Sequence, residues 1–439
     1  MSRPYGKAAR RAGTAVAVTL GLIVACVPTA EADETGPPTA AVSSWVAHHA
    51  TPLATVDPGA ALDDLAPLGR SVGEAQIAGL GESAHGAAEE LELKLRVLRF
   101  LVEERGFRSV AWEEDWATGQ RIDRYIRGGA GDADALVGQM LAQWHSPKVA
   151  GVLRWLRAYN TGRSDKVRFV GVEYYLTGQP AYDAVAAYVA AKAPGRLAGL
   201  RALLDPLRPA AADIFAHIQW YMKQPDKRPY IRAAREAVRF LERLPHRPAD
   251  PAHALIVQQA RQIAYFYEHF SLSAADALIF RDARAAGNLR WWRAFSGDKI
   301  VYWAASPHTA NAPGLRIADP PAPDMRFPSA GSYLRHWYGP RYLSIGFTFD
   351  HGELRLGPGQ TAAAPPPRPR WFERPLGSVG FDQFVIDLRQ PAPAPVRRWL
   401  DAPVVTRGLP GGGPDAHMAG GTLAQWFDLI VHCQTVTPA

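Results

Sequence analysis

The sequence predicts an α/β protein with a mostly parallel central sheet that is flanked by helices. Short apolar runs alternate with long helical stretches over much of the 439 residues. Such alternation is typical of parallel strands joined by right-handed helical crossovers. The apolar runs are nearly continuous instead of alternating with polar residues, which indicates strands that are covered on both faces.

Seven apolar runs carry the strand prediction. They lie at 76–81, 109–112, 167–172, 299–304, 342–349, 383–388 and 427–432. Two intervening helices are predicted at 89–105 and 148–160, where leucine and valine recur at helical spacing. We interpret residues 45–180 and 297–439 as two parts of one α/β domain.

Residues 181–296 interrupt the alternation of strand and helix. Four or five consecutive amphipathic helices, rich in aromatic residues and separated by proline-rich breaks, are predicted there. We interpret this segment as a helical insertion that forms a cap over the carboxyl ends of the strands. Most of its aromatic side chains are expected to pack helix on helix, and a minority could line a cleft for a large apolar ligand.

The N-terminus is typical of an export signal. Four basic residues precede or border an uncharged apolar run at 12–25, and Ala30-Glu31-Ala32 provides a cleavage site. We therefore predict a signal peptide at 1–32, a flexible leader at 33–44 and a secreted protein. In a second interpretation Cys26 is lipidated and anchors the protein to the outer face of the cell membrane. The apolar run is too short for a permanent membrane span, which needs about 20 residues.

Composition and charge exclude other classes of protein. The formal charge is +7, but four of the basic residues lie in the predicted signal peptide and many others alternate with acids. This distribution argues against a nucleic-acid-binding protein, which concentrates positive charge on one face. The two cysteines are Cys26 and Cys433, so no intramolecular disulfide is expected after cleavage at residue 32.

Reactive side chains follow the carboxyl ends of several predicted strands. Glu82 and His85 follow the first run, Glu113 the second, Glu173 the third and His308 the fourth. Ligands of open α/β sheets bind beyond the carboxyl ends of the strands. The sequence therefore predicts that these five side chains converge at one site.

Glu82 and His85 form the first candidate pair. A carboxylate three residues before a histidine can orient the ring and raise its basicity, which suits a general base. The alternatives are a helix-capping signal or a structural histidine. Lys94 could present a positive charge to the same site from the following helix, although a solvated helix face would explain it as well.

The acids at 113–115 lie between two tryptophans and form a second candidate group. Burial at such a position should separate the pKa values of neighbouring carboxyls. We assign Glu113 to the site and predict that Glu114 and Asp115 are helix-entry and surface charges. Two histidines and two glutamates could also hold a divalent metal, but the short spacings of a structural zinc site are missing. The sequence contains no Gly-x-Ser-x-Gly, Walker or dinucleotide motif.

The stretch GLGESAHGAAEELELKLRVLRFLVEERGFRSVAWEEDW at 79–116 resembles the signature region of the erythromycin esterase family. Four further segments resemble the family in the same order along the chain. They are RWLRAYN at 154–160, FRDARAAGN at 280–288, KIVYWAASPHTANA at 299–312 and SYLRHWYGPRYLSIGFTFDHG at 332–352.

The resemblance implies hydrolysis of a macrolide lactone or similar ester by water that a histidine activates, without an acyl-enzyme or a cofactor. It assigns catalytic roles to His85, Glu82, Glu113 and His308. It assigns substrate-binding roles to Lys94, Arg281 and Glu173. The expected partner is a small ester or lactone, and hydrolysis outside the cell would inactivate an antibiotic.

Three positions depart from the family pattern. Ala305 stands where a histidine is frequent, Lys94 where an arginine is usual and Glu173 where an aspartate is usual. The missing histidine at position 305 could mean a different ester substrate or weaker macrolide hydrolysis. Two alternatives remain, a metal-dependent hydrolase of another substrate and a non-catalytic protein that binds an apolar compound.

Overall fold

The computed structural model describes residues 39–210, 213–412 and 415–439. The predicted signal peptide at 1–32, including Cys26, lies outside the described residues. Helix α1 (Thr39–His49) begins inside the segment 33–44, which the sequence predicts as a flexible leader. Val42 and Val46 are fully buried because α1 packs into an apolar cluster of the domain.

The described part of the chain contains thirteen strands in two sheets. The large sheet consists of nine strands: β1 (Thr51–Pro52), β2 (Ile77–Glu82), β3 (Phe107–Asp115), β4 (Arg168–Glu173), β5 (Lys299–Ala305), β8 (Tyr342–Gly357), β9 (Gln360–Ala364), β10 (Gln383–Asp387) and β13 (Leu429–Val436). The small sheet consists of β6 (Leu315–Ala318), β7 (Met325–Phe327), β11 (Pro403–Arg407) and β12 (His417–Thr422).

The large sheet is mostly parallel, which confirms the predicted fold class. Its strand order is β1-β10-β13-β8-β2-β5-β3-β4, and β9 pairs with β8. The pairs from β13 through β4 are parallel, whereas β1, β10 and β9 pair antiparallel at the periphery. Each of the seven predicted apolar runs coincides with a strand of this sheet. The parallel centre aligns the carboxyl ends of β2, β3, β4 and β5 at one edge.

Helices flank the sheet, and the described residues belong to one compact unit of the chain. Those outside the middle segment are α2 (Leu68–Val72), α3 (Ala88–Arg105), α4 (Trp116–Ile126), α5 (Ala133–Val137), α6 (Pro147–Asn160), α13 (Ser306–Thr309), α14 (Ala330–Tyr338), α15 (Ala394–Asp401) and α16 (Leu423–Trp426). No helix within the described ranges combines the length and apolar character that crossing a membrane requires.

The middle of the chain is helical, as its aromatic amphipathic pattern predicts. Six consecutive helices join β4 to β5: α7 (Gln179–Lys192), α8 (Leu197–Leu204), α9 (Ile214–Met222), α10 (Arg228–Glu242), α11 (Pro251–His269) and α12 (Ala274–Ser296). The first five of them, α7 to α11, share an apolar cluster of their own, which includes the buried rings of Tyr182, Tyr221 and Phe266. Two of them reach the carboxyl edge of the sheet, since His269 of α11 contacts Tyr174 and α12 carries Arg281.

Helix α3 joins β2 to β3 and carries Glu90 and Lys94, two side chains that lie at the site described below. Its leucines face the sheet, and Leu91 and Leu98 are almost completely buried. Burial of each leucine stabilises the fold by about 1.5–3 kcal/mol relative to an exposed position. The helix ends at Gly106, whose φ of 72° permits the left-handed cap that follows Arg105.

Two glycines let other elements approach the end of β2. A Cβ atom on Gly81 would lie 2.1 Å from Oγ1 of Thr309 in α13. A Cβ atom on Gly86 would lie 1.9 Å from the backbone oxygen of Arg355 in β8. Only residues without a side chain allow these contacts, so the turn that carries His85 is held between α13 and β8.

Candidate active site

The structure brings the seven predicted site residues to the carboxyl edge of the parallel sheet. Three of them lie on strands, one lies in a turn and three lie on helices. These residues are Glu82 of β2, His85 after β2, Lys94 of α3, Glu113 of β3, Glu173 of β4, Arg281 of α12 and His308 of α13, which follows β5. They form two hydrogen-bonded groups.

The first group is a chain from Lys94 through Glu82 to His85. His85 Nδ1 donates to Glu82 Oε1 over 2.7 Å, and Lys94 Nζ donates to Glu82 Oε2. The Glu82 and Lys94 side chains have no exposed surface, whereas 26% of the His85 side chain is exposed. Because the carboxylate receives the proton on Nδ1, the neutral ring presents the lone pair of Nε2 as its basic atom.

His85 is poised to be neutral at neutral pH. Burial lowers the pKa of its ring from 6.5, and the positive charges of His308, Arg281 and Arg355 lower it further against the opposing effect of Glu113. A neutral imidazole is the form that can accept a proton from water. The rings of Trp144 and His85 pack in a T-shaped arrangement with 4.5 Å between their centroids, which restricts the rotation of the imidazole.

Lys94 lies in the interior instead of on a solvated helix face. Besides the contact with Glu82, its Nζ lies 3.4 Å from the backbone oxygen of Ala304 and 4.2 Å from the centre of the Trp303 ring. Burial lowers the pKa of this ammonium well below 10.5. Lys94 is therefore an internal counter-ion of Glu82.

The second group is centred on Arg281. Its Nη2 donates to Glu113 Oε1 over 2.8 Å, and its Nε donates to Glu173 Oε1 over 3.1 Å. The other oxygen of Glu113 accepts from the backbone nitrogen of Ala305 over 3.1 Å. Although burial opposes ionisation, the positive charges of His308, Arg281 and His85 lower the pKa of Glu113 to about 2. Glu113 is therefore a permanent anion of the site.

His308 links this group to α12. Its Nδ1 donates to Asp282 Oδ1 over 3.0 Å, while its Nε2 lies 3.2 Å from Arg281 Nη1 and 3.5 Å from Glu113 Oε1. Burial alone would lower the pKa of this ring, but Asp282 and Glu113 raise it above 6.5. The neutral ring can accept from Arg281, and the protonated ring can face Glu113. The two histidines of the site thus have opposite pKa shifts.

Asp282 and Glu90 support the site, and sequence analysis did not identify either of them. Asp282 holds His308 and also accepts from the backbone nitrogen of Ala330 over 2.8 Å. Glu90 accepts from Ser83 Oγ over 2.6 Å and from the backbone nitrogen of Ala84 over 3.0 Å, so it fastens the turn before His85. The sequence offered one indication of Asp282, because this residue directly follows the predicted site residue Arg281. Glu90 had none, because a contact from a helix back to the preceding turn leaves no periodic pattern.

The expected surface position of Glu114 and Asp115 is wrong. Both side chains are buried because β3 continues to Asp115 and carries them into the interior. Burial raises the pKa of Glu114 to about 8 and that of Asp115 to about 6. The expected helix-entry role of Asp115 is confirmed, since its carboxylate accepts from the backbone nitrogens at the start of α4.

A metal site was left open by the sequence. Within the ranges that the structure describes, no group of three or more His, Cys, Asp or Glu side chains is arranged to hold a metal ion. The site residues engage each other in hydrogen bonds and ion pairs instead.

The fold and the site define a class of α/β proteins that carry histidines, carboxylates and an arginine at the carboxyl edge of a parallel sheet. The sequence model of the erythromycin esterase family matches residues 102–436. The chain therefore belongs to the erythromycin esterase family, which is a family of hydrolases. It is similar to erythromycin esterase type II of Escherichia coli, with 32% identity over 130 residues. That alignment covers 29% of this chain and 30% of the relative, so it spans less than a third of either protein.

Solved structures share the fold over nearly their whole length. A Bacillus cereus protein has a TM-score of 0.80 and 26% identity, and a succinoglycan biosynthesis protein has a TM-score of 0.79 and 25% identity. Each comparison covers 91% of this chain and 98% of the other. A mutant of the erythromycin esterase EreC in its open conformation has a TM-score of 0.65 and 18% identity, covering 88% of this chain and 97% of that one. The last similarity shows the fold alone.

Proposed function

We propose that the protein hydrolyses a carboxylic ester, a macrolide lactone or a similar compound, with water that His85 activates. Family membership supports an ester hydrolase. The observation that carries the mechanism is the His85–Glu82 contact of 2.7 Å, which engages Nδ1 and leaves Nε2 without a hydrogen-bond partner among the described residues, on a partly exposed ring. A neutral, oriented imidazole at a strand end is suited to general-base catalysis.

The reaction can be written without a covalent enzyme intermediate. Nε2 of His85 accepts a proton from water as the water oxygen bonds to the ester carbonyl carbon, and the carbonyl electron pair moves onto its oxygen. The pair then returns, the bond to the alcohol oxygen breaks, and His85 gives its proton to that oxygen. Glu82 stabilises the imidazolium that exists between these steps, as an orienting carboxylate does in other hydrolases.

The second hydrogen-bonded group, centred on Arg281, provides the positive charge that can contact the substrate. We propose that Glu113 and Glu173 hold the guanidinium, which keeps 18% of its side chain exposed and can contact the substrate there. His308 lies against the same guanidinium and is held by Asp282. Lys94 cannot touch a substrate from its buried position, so we assign it a role through Glu82 instead of the substrate-binding role that the resemblance implies.

We propose further that the protein acts outside the cell, where hydrolysis of a macrolide would inactivate it. Two features of the sequence support export, the basic and apolar pattern before residue 26 and the Ala30-Glu31-Ala32 site. Lipidation at Cys26 would retain the protein at the outer face of the membrane. Mass spectrometry of the mature N-terminus would distinguish cleavage after residue 32 from lipidation.

Incubation of the purified protein with erythromycin tests the proposed activity. We expect a product that is heavier by one water molecule, since hydrolysis opens the lactone ring. A panel of smaller lactones and linear esters, run in parallel, covers the departures at Ala305, Lys94 and Glu173. No hydrolysis of any member of the panel would contradict the proposal, and loss of hydrolysis on treatment with a chelator would favour the metal-dependent alternative.

The pH dependence of kcat/KM should identify which histidine is the base. The base must be neutral, so activity is present above its pKa and is lost as the pH falls through it. Because the pKa of His85 lies below 6.5, we expect the acid limb to have its midpoint below pH 6.5. The pKa of His308 lies above 6.5, so a midpoint above pH 6.5 would assign the role to His308 and contradict our proposal.

A further inference from the structure

Among the described residues, Arg281 and Arg355 act electrostatically on His85, and Lys94 is linked to it through Glu82. Lys94 is fully buried against Glu82, and Arg281 is paired with two carboxylates of the site. Arg355 is different, since it has no ion pair with any carboxylate of the described residues. Its charge acts on His85 all the same, because it contributes to the lowered pKa of that ring.

The backbone of Arg355 is bonded to the turn that carries His85. Its nitrogen donates to the backbone oxygen of Gly86 over 3.1 Å. The same oxygen accepts from the nitrogen of Ala439 over 3.0 Å. The close approach at Gly86 leaves no space for a side chain between the turn and β8. Arg355 is therefore held in place beside the residue that follows His85.

The side chain of Arg355 extends toward the segment that supports the His85 ring. Its Nη2 donates to the backbone oxygen of Gln143 over 3.3 Å, and the next residue, Trp144, packs on His85. The guanidinium and the imidazole thus lie against the same short segment. Arg355 is half-buried, so part of it remains open to a ligand.

Half-buried Arg355 has no carboxylate counter-ion in the part of the chain that the structure describes. Burial lowers its pKa, and its Nε has no hydrogen-bond partner among the described residues. A positive charge that is withdrawn from water without an anion is costly, and an anionic ligand relieves that cost. Guanidinium groups match carboxylates well because two parallel N–H groups can meet two oxygens.

We propose that Arg355 is a further catalytic residue, whose guanidinium binds the ester carbonyl oxygen beside His85 and stabilises the negative charge that forms there. This inference rests on the proposed function. When water attacks, the carbonyl electron pair moves onto the oxygen that faces Arg355. The pair returns when the bond to the alcohol oxygen breaks, and the same guanidinium then contacts the product carboxylate. Loss of one such donor lowers kcat by about 10²–10³-fold in other hydrolases.

Substitutions of Arg355 test this role. We expect Arg355→Gln to lower kcat by about 10²–10³-fold with a much smaller change in KM, and Arg355→Lys to recover part of the loss. Arg157→Gln is the matched control, because Arg157 is also half-buried and also donates to backbone oxygens, those of Tyr125 and Gly129. A full kcat in Arg355→Gln, or an equal loss in Arg157→Gln, would overturn the proposal.

Two measurements without turnover separate this inference from the proposed function. NMR titration of the His85 ring, assigned by its absence in His85→Gln, should show a higher pKa in Arg355→Gln and an unchanged one in Arg355→Lys. The other charged groups that face His85 stay constant in this comparison: Glu82, Lys94, Glu113, Arg281 and His308.

The second measurement uses benzoate as a carboxylate probe in calorimetry. We expect Arg355→Gln to weaken benzoate binding at least about tenfold, in line with the loss of a charge-assisted hydrogen bond. Equal affinity for benzoate in wild type and variant would overturn the role of Arg355. Absence of ester hydrolysis in the wild type, with the difference in benzoate binding intact, would overturn the proposed function and keep Arg355 as an anion-binding residue.

Discussion

His85→Gln is expected to lower kcat/KM for ester hydrolysis by about 10²–10⁴-fold, the usual contribution of a general base. Glutamine fills a similar volume and can still donate to Glu82, but it has no basic nitrogen to accept a proton from water. The Glu82–Lys94 contact lies outside the substituted side chain, so the fold should persist. Steady-state kinetics together with the thermal midpoint of unfolding would measure both effects.

His336→Gln is the matched control for this prediction. His336 is an exposed residue on α14, and the same substitution there should leave kcat/KM unchanged. If His85→Gln kept most of the activity at an unchanged thermal midpoint, His85 would not be the base. The water-activation mechanism would then have to be assigned to His308 or abandoned.

Lys94→Met should destabilise the protein by about 3–5 kcal/mol, because removal of the lysine leaves the buried carboxylate of Glu82 without its positive counter-charge. Glu82 has no exposed surface, and of the two ion-pair partners that the described residues offer it, only His85 would remain, with a ring that is neutral near pH 7. Methionine keeps the apolar part of the lysine side chain and its packing on Trp303. The free energy of unfolding, measured with urea by fluorescence, gives the size of the effect.

A double substitution separates charge from packing. Lys94→Met combined with Glu82→Gln removes both charges, so it should be more stable than Lys94→Met alone. Lys148→Met breaks a Lys–Glu pair with Glu92 in which 41% of the lysine side chain is exposed, and should cost less than about 1 kcal/mol. A cost of the same small size for Lys94→Met would show that the buried pair contributes no more than a surface pair.

The sheet was predictable because buried parallel strands leave continuous apolar runs, and all seven runs are strands. The ends of the strands were less predictable where pairing continues beyond the apolar core. Strand β8 extends to Gly357, well past the predicted end at 349, because its polar part pairs with β9 in a hairpin. There the buried Leu354 lies among half-buried and exposed residues, so the segment lacks an apolar run.

The start of the domain was also not predictable from the local sequence pattern. Residues 39–44 read as a polar leader, yet α1 begins at Thr39 and buries Val42 and Val46. Its apolar partners come from the C-terminal half of the chain, among them Leu376 and Phe384. A short segment whose burial depends on such distant partners carries no local signal of its own.

The candidate site was predictable to the extent that it follows from strand ends. Because parallel strands end at one edge, Glu82, His85, Glu113, Glu173 and His308 had to meet there once their strands were placed. The sequence by itself therefore determined the fold class, the edge of the sheet that carries the chemistry and, through the resemblance, the family.

Only the tertiary structure decided how the charges are paired. Arg281 meets Glu113 across 168 positions of the chain and Glu173 across 108, while Lys94 turns inward to Glu82. Arg355 reaches the turn of His85 from the distant strand β8 and remains without a carboxylate partner in the described part of the chain. Spacing along the chain defines directions within one helix or strand. Whether a charge is neutralised, buried or available to a substrate depends on neighbours that the sheet and its crossovers bring from distant segments.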